Sequence, residues 1–250
     1  MYSISAKFSE CYFFMKKLLS IFLSLVLSIS VLGVCNISFA AQTTDIEPTK
    51  IINSSAYYSF DANTKTLTIS GKGRTPNFTN SSGDTTSQPW FYWRSDGSIE
   101  HIVVEDGITS LGNYFFYGVS CTDIKLADSI ESIGGYAFSG AQIEHIKLPD
   151  KLKYINNDAF YFCDNLKEIV FPKSISSIGT SAFENCSVLS KVSFEAMGNE
   201  LTISSRAFFK CPLLKRVDVP SLAKLSKYSF GYEKASVDGT YDGFTLGVYS

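Results

Sequence analysis

Histidine occurs only twice in this chain of 250 residues, at His101 and His145, and no Cys-x-x-Cys pair or clustered Cys/His spacing accompanies it. A zinc site of the usual kind is excluded by that scarcity, and no metal is expected. Also missing are a Gly-x-Ser-x-Gly elbow, a His-Glu-x-x-His pair, a phosphate loop and an Asp-x-Asp-x-Asp-Gly calcium loop. The chain is therefore read as non-enzymatic, with no cofactor. A carboxylate pair for sugar hydrolysis leaves no signature of this kind. Rigid one-dimensional stacks, however, seldom enclose the deep pocket that a hydrolase uses. The Asp-Gly pairs at Asp96, Asp106, Asp238 and Asp242 read as turns. A basic stripe is lacking as well: 22 Lys and Arg stand against 24 Asp and Glu, which disfavours nucleic acid.

Long apolar runs are confined to the first forty residues. Lys16 and Lys17 follow Met15, Leu18 to Val34 is apolar, and Ser38-Phe39-Ala40 offers small residues where a signal peptidase cuts. Residues 1–40 are read as a signal peptide cleaved before Ala41, with 1–14 an extension upstream of the natural start at Met15. An uncleaved anchor is the competing reading, and Val34 is too large for the lipoprotein box that Leu32 to Cys35 resembles. The leader carries Lys7, Lys16 and Lys17 against Glu10, so its removal takes the formal charge from −2 to −4. Secretion or display at the surface of a bacterial cell is expected, with membrane contact only through the signal peptide.

What the sequence has is repetition. From Ile99 onward an opening of the form apolar-x-x-apolar-x-apolar recurs six times, at Ile99, Cys121, Ile143, Leu166, Leu189 and Leu214, with a period of about 22 to 25 residues. Each copy closes on a phenylalanine: Phe116, Phe138, Phe160, Phe183, Phe208 and Phe230. Such self-similarity marks a solenoid whose units bury apolar faces against one another. Within the copy Leu166–Val188, Leu166–Phe171 reads as a strand ended by Pro172. Ile175–Ile178 reads as a second extended piece, and Ser181–Asn185 as one helical turn around Phe183. Cys163, Cys186 and Cys211 share one column, three residues after the phenylalanine, and Cys121 opens its repeat. Parallel side chains in a column point the same way, so buried thiols are expected rather than disulfides.

Residues 41–56 are read as a linker and 57–98 as an N-terminal cap. Tyr57–Phe60 and Thr66–Ser70 form a hairpin across Asp61–Thr64, followed by the aromatic cluster Pro89 to Trp93. Clustered aromatics suit burial over the open end of a solenoid. The alternative for them is a platform for sugar rings centred on Trp90.

These residues resemble the BspA-type leucine-rich repeat family of bacterial surface proteins. Its unit has the form L-x-x-I-x-(I/L)-P-x-x-(V/L)-x-x-I-G-x-x-A-F-x-x-C. Leu166 to Pro172, Ser177-Ile178-Gly179 and Ala182 to Cys186 match it nearly throughout. Leu67 to Gly71 and Pro89-Trp90 resemble the family's lead-in, so the likeness covers about residues 57–246. It implies a leucine-rich repeat solenoid: a parallel ladder of about six rungs over 99–250, with short helical turns and an N-terminal β-hairpin cap. It also implies secreted or cell-surface proteins, often adhesins, with no shared catalytic activity. The first repeat departs from the pattern at Phe115-Phe116, and the last has Ser229-Phe230 and no cysteine. After it, Asp242 to Leu246 looks like the start of a further segment, and truncation at the C-terminal end is a hypothesis.

Two polar columns alternate with the apolar positions of the openings. The third position reads His101, Asp123, His145, Glu168, Lys191, Arg216, and the fifth reads Val103, Lys125, Lys147, Val170, Ser193, Asp218. Strand geometry turns both columns away from the core, across about 24 Å for six rungs. His101, Asp123, Lys125, His145, Lys147, Glu168, Lys191 and Arg216 are therefore the candidate binding residues. The two histidines stand nearly 10 Å apart on such a ladder, too far to share one ion comfortably. The expected role is binding of an extracellular protein or glycan. The alternatives are an enzyme or accessory acting on extracellular polysaccharide, and a structural spacer for a missing C-terminal domain.

Overall fold

The computed structural model describes residues 45–78, 88–91, 93–95, 97–196, 198–231 and 245–249. The chain divides into two units, Met1–Gln42 and Thr43–Ser250, and the described residues all lie in the second. The signal peptide, Cys11, Cys35, Asp96, Asp238 and Asp242 fall outside them. Among the described residues no helix is long and apolar enough to cross a membrane.

The cap begins with strands β1 (Ile46–Lys50), β2 (Ala56–Asp61), β3 (Thr66–Gly71) and β4 (Gly73–Arg74). β1 pairs antiparallel with β2, and β2 with β3. The Asp61 carboxylate accepts from the N–H groups of Asn63 (2.8 Å) and Thr64 (3.1 Å), which fixes the hairpin turn. The linker read over 41–56 thus needs correction, because Ile46–Lys50 is a paired edge strand. Only Ile46 in it is even partly buried, so no alternation announced it. Pro48 sits in the register shift between Ile46 and Thr49, where its missing donor is tolerated.

β3 is also the rung before the first repeat. It pairs in parallel with β5 (His101–Val104), so Leu67 and Ile69 continue the buried columns of Ile102 and Val104. Beyond β5 the first ladder holds β7 (Asp123–Lys125). It resumes with β10 (Glu168–Phe171), β12 (Lys191–Phe194), β14 (Arg216–Pro220) and β16 (Thr245–Tyr249). A second ladder runs unbroken from β4 through β6 (Ile108–Leu111), β8 (Ser132–Ile133), β9 (Tyr154–Ile155), β11 (Ser177–Ile178) and β13 (Leu201–Ile203) to β15 (Ala223–Leu225). The first ladder therefore exceeds six repeats at both ends, with β3 before them and β16 after them. Its expected strand in the third repeat is absent.

No helix forms around the anchoring phenylalanines, and the helical turns expected there are corrected. The residue two before each anchor is left-handed, at Tyr114, Tyr136, Asp158, Ser181, Arg206 and Tyr228, with φ between 54° and 62°. The residue two after is left-handed as well, at Gly118, Gly140, Phe162, Asn185 and Lys210. Alternation of this kind aims every second N–H at the next repeat instead of back along its own turn. The anchors' N–H groups donate to Ala137, Ala159, Ala182, Ala207 and Ser229 carbonyls, each at 2.7 Å. A left-handed residue costs about 1–2 kcal/mol, which these cross-repeat bonds offset.

The rings of Phe116, Phe138, Phe160, Phe183, Phe208 and Phe230 then stack in one column at 4.9 to 5.5 Å. Trp90 closes the N-terminal end of that column, 5.8 Å from Phe116 and 5.0 Å from Phe115, and is fully buried. A ring so enclosed has no face for a sugar. The capping role stands, and the platform reading at Trp90 does not.

Candidate functional site

Alternation in β5, β7, β10, β12 and β14 buries Ile102, Ile124, Ile169, Val192 and Val217 and turns their neighbours to solvent. All eight sequence-predicted residues lie on this one face. His101, Asp123, Lys125, His145, Lys147, Lys191 and Arg216 are exposed, and Glu168 is half-buried. A groove of about 800 Å³ opens over the first three repeats, lined by residues that include Asp123, Lys125, His145 and Lys147. A second hollow of about 450 Å³ continues past His145 to Glu168 and Val170. Lys191, Arg216 and Asp218 border a separate shallow hollow of about 300 Å³.

Several charges on this solenoid are paired from rung to rung. Lys65 pairs with Glu100, Lys153 with Glu131 (2.9 Å), Lys167 with Glu144 (2.6 Å), Lys191 with Glu168 (3.3 Å) and Lys224 with Glu200 (2.6 Å). His101 Nδ1 lies 3.3 Å from Asp123, and Arg216 forks onto Asp218 of its own strand. The carboxyls of Glu100, Glu131 and Glu144 are held below their ordinary value, chiefly by the hydrogen bond from their lysine. Lys125 and Lys147, on adjacent repeats, have no carboxylate partner among the described residues.

The third repeat explains the groove. Residues 145–148 form no strand, and no backbone hydrogen bond joins them to either neighbouring repeat among the described residues. Bonds persist just before them, from Gln142 N–H to Val119 (2.9 Å) and from Lys167 N–H to Glu144 (3.3 Å). The opening is thus local, with the second ladder holding the repeats together behind it.

The turn side carries a polar cluster that the sequence reading did not single out. Glu184 is buried, accepting from Ser181 (2.7 Å) and Arg206 (2.6 Å). Tyr136 stacks flat on Tyr114 at 4.8 Å and bonds Asp158, whose carboxyl burial pushes up. Its signal in the sequence was the column two before the anchors, where Tyr, Tyr, Asp, Ser and Arg succeed one another. These groups satisfy one another, so the cluster stabilises turns. Among the described residues no three His, Cys, Asp or Glu side chains converge to hold an ion.

Comparison with known proteins fits this picture. The family model described as a BspA type leucine rich repeat region matches residues 87–215, in six copies. The chain belongs to the BspA-type leucine-rich repeat family. Among solved structures, a leucine-rich repeat protein from Eubacterium ventriosum superposes with a TM-score of 0.52 at 21% identity, covering 80% of this chain and 43% of that one. A leucine rich cell surface protein from Faecalibacterium prausnitzii gives 0.46 at 18% identity, over 72% and 51%. A leucine-rich repeat protein from Bacteroides ovatus gives 0.47 at 23% identity, over 78% and 60%. This BspA-type chain spans about half the length of the first two. No curated protein matches it.

Proposed function

We infer that this BspA-type chain is an exported, non-catalytic repeat protein whose strand face binds a protein or glycan outside the cell. The observation that carries this reading is the groove. It lies on the rigid strand face of the solenoid, and polar side chains that the core does not use line it. The leader read over residues 1–40 supports export. Solvent-open hollows favour adhesion over chemistry that needs a dehydrated pocket.

Retention tests the reading directly. The immobilised chain is expected to hold components of host-matrix or cell-wall extracts. Reversal of charge at Lys125, Lys147, Lys191 and Arg216 together is expected to release them, while the chain still folds and melts cooperatively. Retention unchanged by the four reversals would place binding elsewhere. Trp90→Ala is no probe of sugar binding, because removing so buried a ring costs about 3–5 kcal/mol of stability.

A further inference from the structure

Two features of this solenoid coincide in one place. The first is electrostatic. Five lysines find a carboxylate on the neighbouring rung. Lys125 and Lys147 hold the same position in adjacent repeats, and neither has such a partner among the described residues. Like charges held in one column of adjacent repeats repel. The second is in the backbone. The N–H and C=O groups of residues 145–148 lack the ladder bonds that their counterparts make in the fourth, fifth and sixth repeats. Buried backbone polar groups rarely go unpaired, and residues 145–148 line the groove together with Lys125.

We propose that this groove binds an extended peptide segment of a protein partner, with an acidic side chain of the peptide held between Lys125 and Lys147. The proposal rests on the strand face being the binding face. A carboxylate removes the repulsion and gains charge-assisted hydrogen bonds from two ammonium groups. A peptide backbone offers both donors and acceptors to the unpaired groups of residues 145–148. Val103 and the exposed Val170 flank the lysine pair in the same column and suit apolar neighbours of the acidic residue. The rim decides against a repeating polyanion. Glu105, Asp106 and Asp128 border the main groove, and Asp150 and Glu195 border its continuation. Five carboxylates repel an acidic polysaccharide but welcome a lysine or arginine flanking the peptide's carboxylate.

The test uses the purified chain and an array of synthetic nonapeptides built from Glu, Lys, Val and Ser. The best ligands are expected to carry a central Glu between apolar residues, and Gln in its place should weaken binding at least about tenfold. The Lys125→Gln/Lys147→Gln double variant should lose a similar factor while melting as the parent does. In amide NMR the peptide should shift the N–H signals of residues 145–148. Absence of any ligand on the array, indifference to the central Glu, or full affinity in the double variant would overturn the proposal. Tighter binding of polygalacturonate than of any peptide would overturn it too. If extract retention needs Lys191 and Arg216 but not Lys125 and Lys147, the strand-face reading stands and this proposal falls. If it needs none of the four, both fall.

Discussion

Cys163, Cys186 and Cys211 show what a single repeat position does in this fold. Each thiol donates to the carbonyl of the preceding repeat's anchor, Phe138, Phe160 and Phe183, at 3.1, 3.2 and 3.1 Å. The Phe138 and Phe160 carbonyls also accept the N–H groups of Ala141 and Cys163 in their own turns, so there the thiol occupies a second lone pair. Burial pushes the Cys121, Cys163 and Cys186 thiols upward, with Cys121 reaching about 12. A thiolate is the reactive form. The folded chain should therefore be inert to a thiol reagent at pH 8 and expose four titratable thiols when denatured, counting from Ala41 onward. Labelling of the native chain at the rate of free cysteine would contradict this. Among the described residues the cysteines are free, as the parallel column predicted.

At the scale of the element, close approach of neighbouring repeats dictates glycine. A Cβ on Gly179 would lie 2.6 Å from the backbone of Asn156 and Asn157, and one on Gly134 would lie 2.5 Å from Gly112. Neither position requires positive φ, so the constraint is steric. Gly179→Ala should lower stability by about 1–3 kcal/mol in a denaturant melt, the range for overpacking. Ala at Gly198, which meets nothing within 4 Å, should be neutral. The strand openings and the extended pieces were legible in their alternation. The turns were not. A run such as Ser181–Asn185 has the composition of a helical turn, and only its hydrogen bonds to the next repeat select alternating left- and right-handed residues. β1 was missed for a related reason, since its backbone pairing is not accompanied by burial.

Over the whole molecule, stability sums contacts between neighbouring repeats, and its pH dependence follows from charges that also pair across repeats. Glu100, Glu131 and Glu144 titrate below their ordinary 4.5 because lysine hydrogen bonds favour the ionised form. Their contribution is present above the unfolded value and is lost as pH falls through the lower folded values. Asp158 acts in the opposite sense, because burial raises it and its ionisation opposes folding. Asp61 is lowered as well, by the N–H groups of Thr64 and Asn63, so four depressed carboxyls outnumber the one raised. The melting temperature should stay level from pH 7 to about 5 and fall below about 4.5. High salt should shrink that fall, since the pairs are exposed. A melting temperature that rises on acidification would contradict the assignment.

The period, the apolar columns and the order of side chains in the polar columns follow from the sequence alone, because a stacked repeat places equivalent residues in register whatever its details. Hence the solenoid, its family and the face bearing His101, Asp123, Lys125, His145, Lys147, Glu168, Lys191 and Arg216 could be read directly. The relations within that face belong to the tertiary structure. It couples Lys191 to Glu168, and it leaves Lys125 and Lys147 uncompensated where the third repeat drops its ladder bonds. Those outcomes depend on distances between residues 22 or more positions apart, and only the stacked fold fixes them.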